Sequence, residues 1–590
     1  MRLSGILAAG ALVLAVSGAP GFAGAGQDAI AAARAALARG DGIAAEADLD
    51  KALGAGAARS DVAALMGEAL LAQDEFAEAR EWLAPGTFAP ADQSRGWRML
   101  GRLERAAGNL AAAGAAYDKA LAVSPNDPQV WVDIGRLRYV GGEQLQAIDA
   151  ANRALAGGAD NPLALAFRAE LLRDQAGWQA ALPLYERAVA LAPNDLAVLG
   201  GYAATLGEAG QTRAMLAVIR TMIDLAPKDP QAWYLQAALA ARAGKVDLAR
   251  SLLARAGSLP DERPDAMLLR GVLELEAGNA NLAVAVFERL SLTQPVNPRL
   301  QLLLARSLYE SGDYAGLQAR FGPLAARADA PAYLLTLLAR SYEDQGDRAA
   351  AAPLLDRAAR FQGAAVLAIP GGDGPVGAAR GALASGNAAG AEAIAAGFIR
   401  QRPGLALAYS LGGDTALAQG ANALALERYG QAVRVRWPDR VLLRMVEALE
   451  RSGRGGEAAQ LTGGYLGAYP GSRIAARLAA GFAAQRGDWA HARSLLESLR
   501  QRGGNRDARL LADLSLAQLR TGDADVALDT AERAALLQPG SGVAAQAWGM
   551  ALVELDRDRA LAAALLAKAR QIGGDNPLLA KARKQLGKPG

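Results

Sequence analysis

The side chains with most to offer chemically are arginines, and they cluster. Arg95, Arg98, Arg102 and Arg105 fall within one short stretch. A guanidinium binds a carboxylate through two parallel hydrogen bonds and stacks on planar groups, so such a set suits the recognition of anions. Groups that would make or break bonds are scarce. His491 is the only histidine, and there is no cysteine. A lone histidine holds a metal only where carboxylates converge on it, and no spacing here suggests that. It reads as a surface or interface residue. No G-x-x-x-x-G-K-[ST] loop is present, and the GGDG at Gly371–Gly374 reads as turn chemistry. No serine sits in a nucleophile elbow. The missing cysteine excludes disulfides, thiolate metal sites and a lipobox anchor. The reading is of a non-enzyme, with no catalytic residue, metal or cofactor. A net charge of +3 over 590 residues gives no global argument for nucleic acid or a membrane surface.

What positions the arginines is a repeat. The segment WRMLGRLERAAGNLAAAGAAYDKALAVSP, Trp97 to Pro125, returns 34 residues later at Trp131, Ile134, Gly135, Gly142, Ala147 and Ala154. With Trp97 as position 4, ten units follow without insertion from Gln27 to about Gln362. Position 8 is Ala or Gly in all ten, position 20 is Ala in eight, and position 15 is Gly in eight. Positions 4, 7, 8 and 11 fall on one face of a helix; positions 20, 24 and 27 make a second such stripe. Small residues at 8 and 20 allow close helix approach. Glycine at 15 supplies the positive φ that ends the first helix. Asp127-Pro128, Asn161-Pro162, Asp229-Pro230 and Asn297-Pro298 read as an N-cap followed by Pro at N1.

This length and these key positions resemble the tetratricopeptide repeat (TPR). The resemblance implies an all-α, right-handed α-solenoid or superhelix of about sixteen helix hairpins. It also implies a non-catalytic scaffold for protein–protein interaction. In this family the first helices line the concave face through positions 2, 5, 9 and 12. Here those positions carry Arg34, Arg95, Arg98, Arg102, Arg105, Arg136, Tyr139, Arg173, Tyr234, Arg299, Arg306, Tyr309, Tyr333, Arg340 and Arg380, against fewer acids: Asp61, Glu68, Glu170, Glu343, Asp373 and Asp414. The groove is therefore expected to be more basic than the molecule as a whole. Tyrosine adds rigid contact area. The partner expected is a protein with an extended or acidic segment; the alternative is an anionic polysaccharide guided along the groove. The family's carboxylate clamp for chaperone C-termini uses Asn at position 9, and none stands there.

The ends and joins complete the organisation. Residues 1–25 read as a cleavable signal peptide, with Arg2, an apolar run Ile6 to Val16 and the small-residue site Ala23-Gly24-Ala25. The first array spans 26–362. A Gly/Pro-rich loop, 363–377, breaks the register. A second, more degenerate array spans 378–590 and ends in a capping helix with Lys581, Arg583, Lys584 and Lys588. No later stretch reaches transmembrane length. The expected destination is the periplasm, as an exported bacterial protein that is not a lipoprotein, in cell-envelope assembly such as exopolysaccharide synthesis or export.

Overall fold

The computed structural model describes residues 20–295, 297–327, 330–359 and 374–587. Most of the leader and most of the inter-array loop lie outside these. The described residues hold 34 α-helices and no strand. In chain order they pair into sixteen hairpins; the four-residue helix Leu259–Glu262 and the final Pro577–Leu586 stand outside the pairs. The chain divides into two compact units: residues 1–141, 146–167 and 188–198 form one, and residues 142–145, 168–187 and 199–590 the other. Within each unit hairpins stack on their neighbours in an α-solenoid arrangement. No described helix is long and apolar enough to cross a membrane.

Local chemistry fixes each hairpin. Position 15 is left-handed where it is glycine, as at Gly108 (φ 81°) and Gly278 (φ 82°). In the second unit of the repeat the same turn is made by Asp74 at φ 61°, which a side chain adopts at a cost. In the fifth it moves one residue on, to Gly177 (φ 86°). The caps form as the sequence implies. Asp127 accepts from the Gln129 N–H, Asp229 from Gln231, and Asn297 from Arg299 and Leu300. Where position 4 carries a donor side chain, a further bond ties a hairpin to the preceding one. Position 4 donates to the carbonyl of the proline that closes the unit before it: Trp131 Nε1 to Pro125 (2.8 Å), Trp233 Nε1 to Pro227 (3.0 Å) and Gln301 Nε2 to Pro295 (2.8 Å).

The core is alanine-rich, with Ala113, Ala147, Ala249 and Ala283 fully buried at position 20. Position 8 works differently from simple backbone approach where it is glycine. A Cβ on Gly101 would lie 2.3 Å from the Tyr117 ring, on Gly271 2.3 Å from Phe287, and on Gly413 2.4 Å from Tyr429. At these three the glycine is a slot for an aromatic ring from position 24; Gly67 takes Leu83 instead, and Gly135 takes the Phe167 ring of the next unit. Position 11, expected on the apolar face, carries a part-buried charged network in two units. Asn109 Nδ2 donates to Glu104 at 2.8 Å, and Arg80 joins the same carboxylate from the previous unit. Glu274 repeats this with Asn279 at 2.7 Å and a two-pronged Arg250 at 3.1 Å.

Within the second unit, the 168–187 stretch also meets distant helices. The Asp174 carbonyl accepts from the Trp437 N–H (3.3 Å) and the Tyr469 hydroxyl (3.2 Å), and Gln179 Nε2 donates to the Gly467 carbonyl (2.9 Å). A Cβ on Gly177 would stand 2.2 Å from the Ala468 carbonyl oxygen. The glycine there serves both a turn and a close backbone approach.

Candidate interaction surface

The densest set of arginines lies on the first helix Gln93–Ala106, between the first helices Arg59–Leu71 and Pro128–Val140. Its residues at positions 2, 5, 9 and 12 share one face, since they advance by three or four. Arg95 Nη1 reaches Glu68 at 2.5 Å and Arg95 Nε reaches Asp92 at 3.6 Å. Arg34 meets Asp92 as well. Arg102 Nε donates to Asp133 at 2.7 Å. Arg98 is only 5 % exposed and lies 3.9 Å from Glu68 and 4.0 Å from Asp133, with Gln129 accepting from it. Burial, with Arg102 close by, pushes the Arg98 guanidinium pKa down. Arg102 has its pKa raised, chiefly by Asp133. Arg136 stacks over the Phe167 ring at 5.2 Å. Tyr139 is half-buried on the same helix as Arg136.

In the second unit the same positions are again engaged across repeat boundaries. Arg173 stands 3.7 Å from Glu208 and 3.3 Å from the Thr205 hydroxyl. Arg306 bonds Glu310 (2.7 Å) and Glu276 (2.9 Å). The Tyr309 hydroxyl donates to Asp344 at 3.0 Å. Arg340 pairs with Glu343 at 2.5 Å. Tyr234 lies beneath the Arg263 guanidinium at 5.4 Å. Arg299 and Tyr333 are exposed, and Arg380 is half-buried. The fifteen residues thus fall on two units, and most of the arginines face acids. Those acids stand largely at positions the sequence reading did not count: Asp133 at position 6, and Glu208, Glu276, Glu310 and Asp344 at position 13. An acid at position 13 recurring beside arginine at position 9 or 12 was the signal that could have found them. The basicity expected of this face is offset accordingly.

Among the described residues no group of three or more His, Cys, Asp or Glu is placed to hold a metal ion. His491 lies on the surface at the start of the helix Trp489–Gln501.

Three family models, each described as tetratricopeptide repeat, match residues 36–103, 94–137 and 268–316. They fall on hairpins whose turns, caps and ring slots are those described above. The chain is a tetratricopeptide repeat protein. TPR proteins mediate protein–protein interactions and are generally non-catalytic scaffolds. Solved structures similar to this TPR chain include the APC/C hetero-tetramer Cut9–Hcn1, at 12 % identity over 84 % of this chain and 96 % of that one, with a TM-score of 0.34. Another is a tetratricopeptide repeat protein from Parabacteroides merdae, at 16 % identity over 48 % of this chain and 99 % of that one, TM-score 0.31. A third is PilW, a type IV pilus biogenesis factor, at 18 % identity over 36 % of this chain and 98 % of that one, TM-score 0.29. No curated protein shows significant similarity to the chain.

The Glu104 network gives this TPR array a pH response. Hydrogen bonds from Arg80 and Asn109 hold its carboxyl below the usual carboxylate range. A depressed carboxylate contributes stability that is complete above its unfolded pKa, about 4.3, and is lost as pH falls through the lower folded value. Glu104→Gln is therefore expected to melt below the wild type at pH 7. The gap should close as the pH is lowered past about 4, followed by circular dichroism melts across that range.

Proposed function

We propose that the protein is a non-catalytic periplasmic adaptor that joins protein partners in cell-envelope assembly, in a process such as exopolysaccharide synthesis or export. The observation that carries this reading is the row of adjacent first helices whose polar face pairs arginine with acid across repeat boundaries. Such a face presents ordered donors and acceptors for an extended or acidic segment of a partner. The leader-like residues 1–25 support export. An anionic polysaccharide would need a run of uncompensated positive charge, and the pairing of Arg34, Arg95, Arg102, Arg306 and Arg340 with acids speaks against it.

The test is cellular. A photo-crosslinking residue at exposed Arg299, on a first helix, should capture protein partners. The same residue at Leu282, exposed on a second helix, should capture none. N-terminal sequencing of the periplasmic fraction should find a start just after Ala25. An unprocessed chain in the cytoplasm, or capture only from Leu282, would overturn the proposal.

A further inference from the structure

Tyr117, on the second helix Leu110–Val123, is 1 % exposed. Its ring lies in the Gly101 slot, and its hydroxyl stands beside Asp133, Arg105 and Arg102. Arg105 interacts with that hydroxyl as a donor, and no group accepts the hydroxyl's own proton. Arg98 Nε and Arg105 Nε likewise have no acceptor. Three buried donors in one cluster are left without an acceptor, although buried polar groups are normally satisfied. The nearby acids are already engaged, Asp133 by Arg102 and Glu68 by Arg95.

The chain itself shows what is missing. Gly413 and Tyr429 have the same spacing as Gly101 and Tyr117. There the hydroxyl donates to Asp414 at 2.6 Å, and Arg444 stands 4.0 Å from the same carboxylate. Asp414 holds the place that Arg102 holds in the earlier unit. Phe287, which has no hydroxyl, has Val272 at that place. At Tyr429 position 9 supplies a carboxylate; at Tyr117 position 9 is a guanidinium, and the carboxylate beside it, Asp133, is held by Arg102.

We propose that Tyr117, Arg98, Arg102 and Arg105 form a receptor for one carboxylate, supplied by an acidic side chain of a protein partner. This rests on the adaptor reading and specifies its chemistry. The tyrosyl O–H donates to one oxygen, as it does to Asp414 in the later unit, and the guanidinium groups take the other. Arg102 gives the cluster its access to solvent, with a side chain 34 % exposed.

The experiment uses the full chain and fluorescein-labelled hexaglutamate, read by fluorescence anisotropy at low salt, where surface charge is least screened. Tyr117→Phe removes one hydroxyl and leaves a ring that this register already accepts at Phe287. It should weaken binding about tenfold, the scale of one hydrogen bond to a charged group. Arg105→Gln should weaken it similarly. Tyr117→Phe should leave the melting temperature nearly unchanged, because the hydroxyl's proton has no acceptor to lose. Unchanged hexaglutamate binding in Tyr117→Phe overturns the proposal. So does a clear loss of stability, which would make the hydroxyl structural. Wild-type protein that ignores hexaglutamate, or that binds oligogalacturonate in its place, overturns it too. In either case the adaptor reading is still judged separately by crosslinking at Arg299, outside this cluster.

Discussion

An Asp133→Ala variant is expected to loosen the first array by about 3–5 kcal/mol around its site, the cost of removing one partner from a buried ion pair. Asp133 is 1 % exposed and takes the Arg102 bond at 2.7 Å while facing Arg98. Without it, two guanidinium groups remain close together with Glu68 as the nearest acid. Stability in a solenoid is a sum over units and their interfaces, so the loss should be local. Hydrogen exchange is the suitable measurement. Amides in the helices Gln93–Ala106 and Pro128–Val140 should lose protection, while those in the helix Gly542–Glu554 should keep theirs. Asp133→Asn, which retains an acceptor, should fall between. Unchanged protection in Asp133→Ala would mean that the arginines find other partners at no cost.

The second large effect is steric. Gly101→Ala should destabilise by about 1–3 kcal/mol, because the added carbon meets a ring that has nowhere to go. Tyr117 is among the largest fully buried side chains. Helix propensity works the other way, favouring alanine over glycine by about 1 kcal/mol, so the clash must exceed that to show. Gly430, in the helix Asn422–Val433, has nothing within 4 Å of where its Cβ would stand. The same change there should stabilise by roughly 0.5–1 kcal/mol. Opposite signs for one substitution at two helical glycines, measured by thermal melts, would establish the ring slot. Equal signs would remove it.

The hairpin was open to reading in the sequence because its determinants are local. Position 15 glycine, the Asp/Asn-Pro caps and the 3.6-residue stripes each act over a few residues. Even the exceptions follow the same physics: Asp74 holds the left-handed turn, and Gly177 takes over when position 15 is Ala176. Partners of the functional side chains were not open to reading in this way. Arg102 finds Asp133 across 31 residues, and Arg306 finds Glu276 across 30. Such pairs depend on which helix faces lie side by side, which periodicity does not specify. Glu104 and Glu274 were hidden for a related reason, since position 11 reads as apolar until Arg80 and Arg250 are placed over it from the preceding unit. The missing acceptor of the Tyr117 hydroxyl is plain only once its ring is placed in the Gly101 slot.

Pairing across boundaries has a consequence for how this chain can change over generations. Units of equal length and strict phase invite gain or loss of whole copies by recombination. Deleting the unit that carries Arg95, Arg98 and Arg102 would keep the remaining turns in register. It would also set Glu68 and Asp133 on adjacent helices with no cation between them. Copy number in this stretch is therefore constrained by charge as well as by backbone geometry, and its units are not interchangeable.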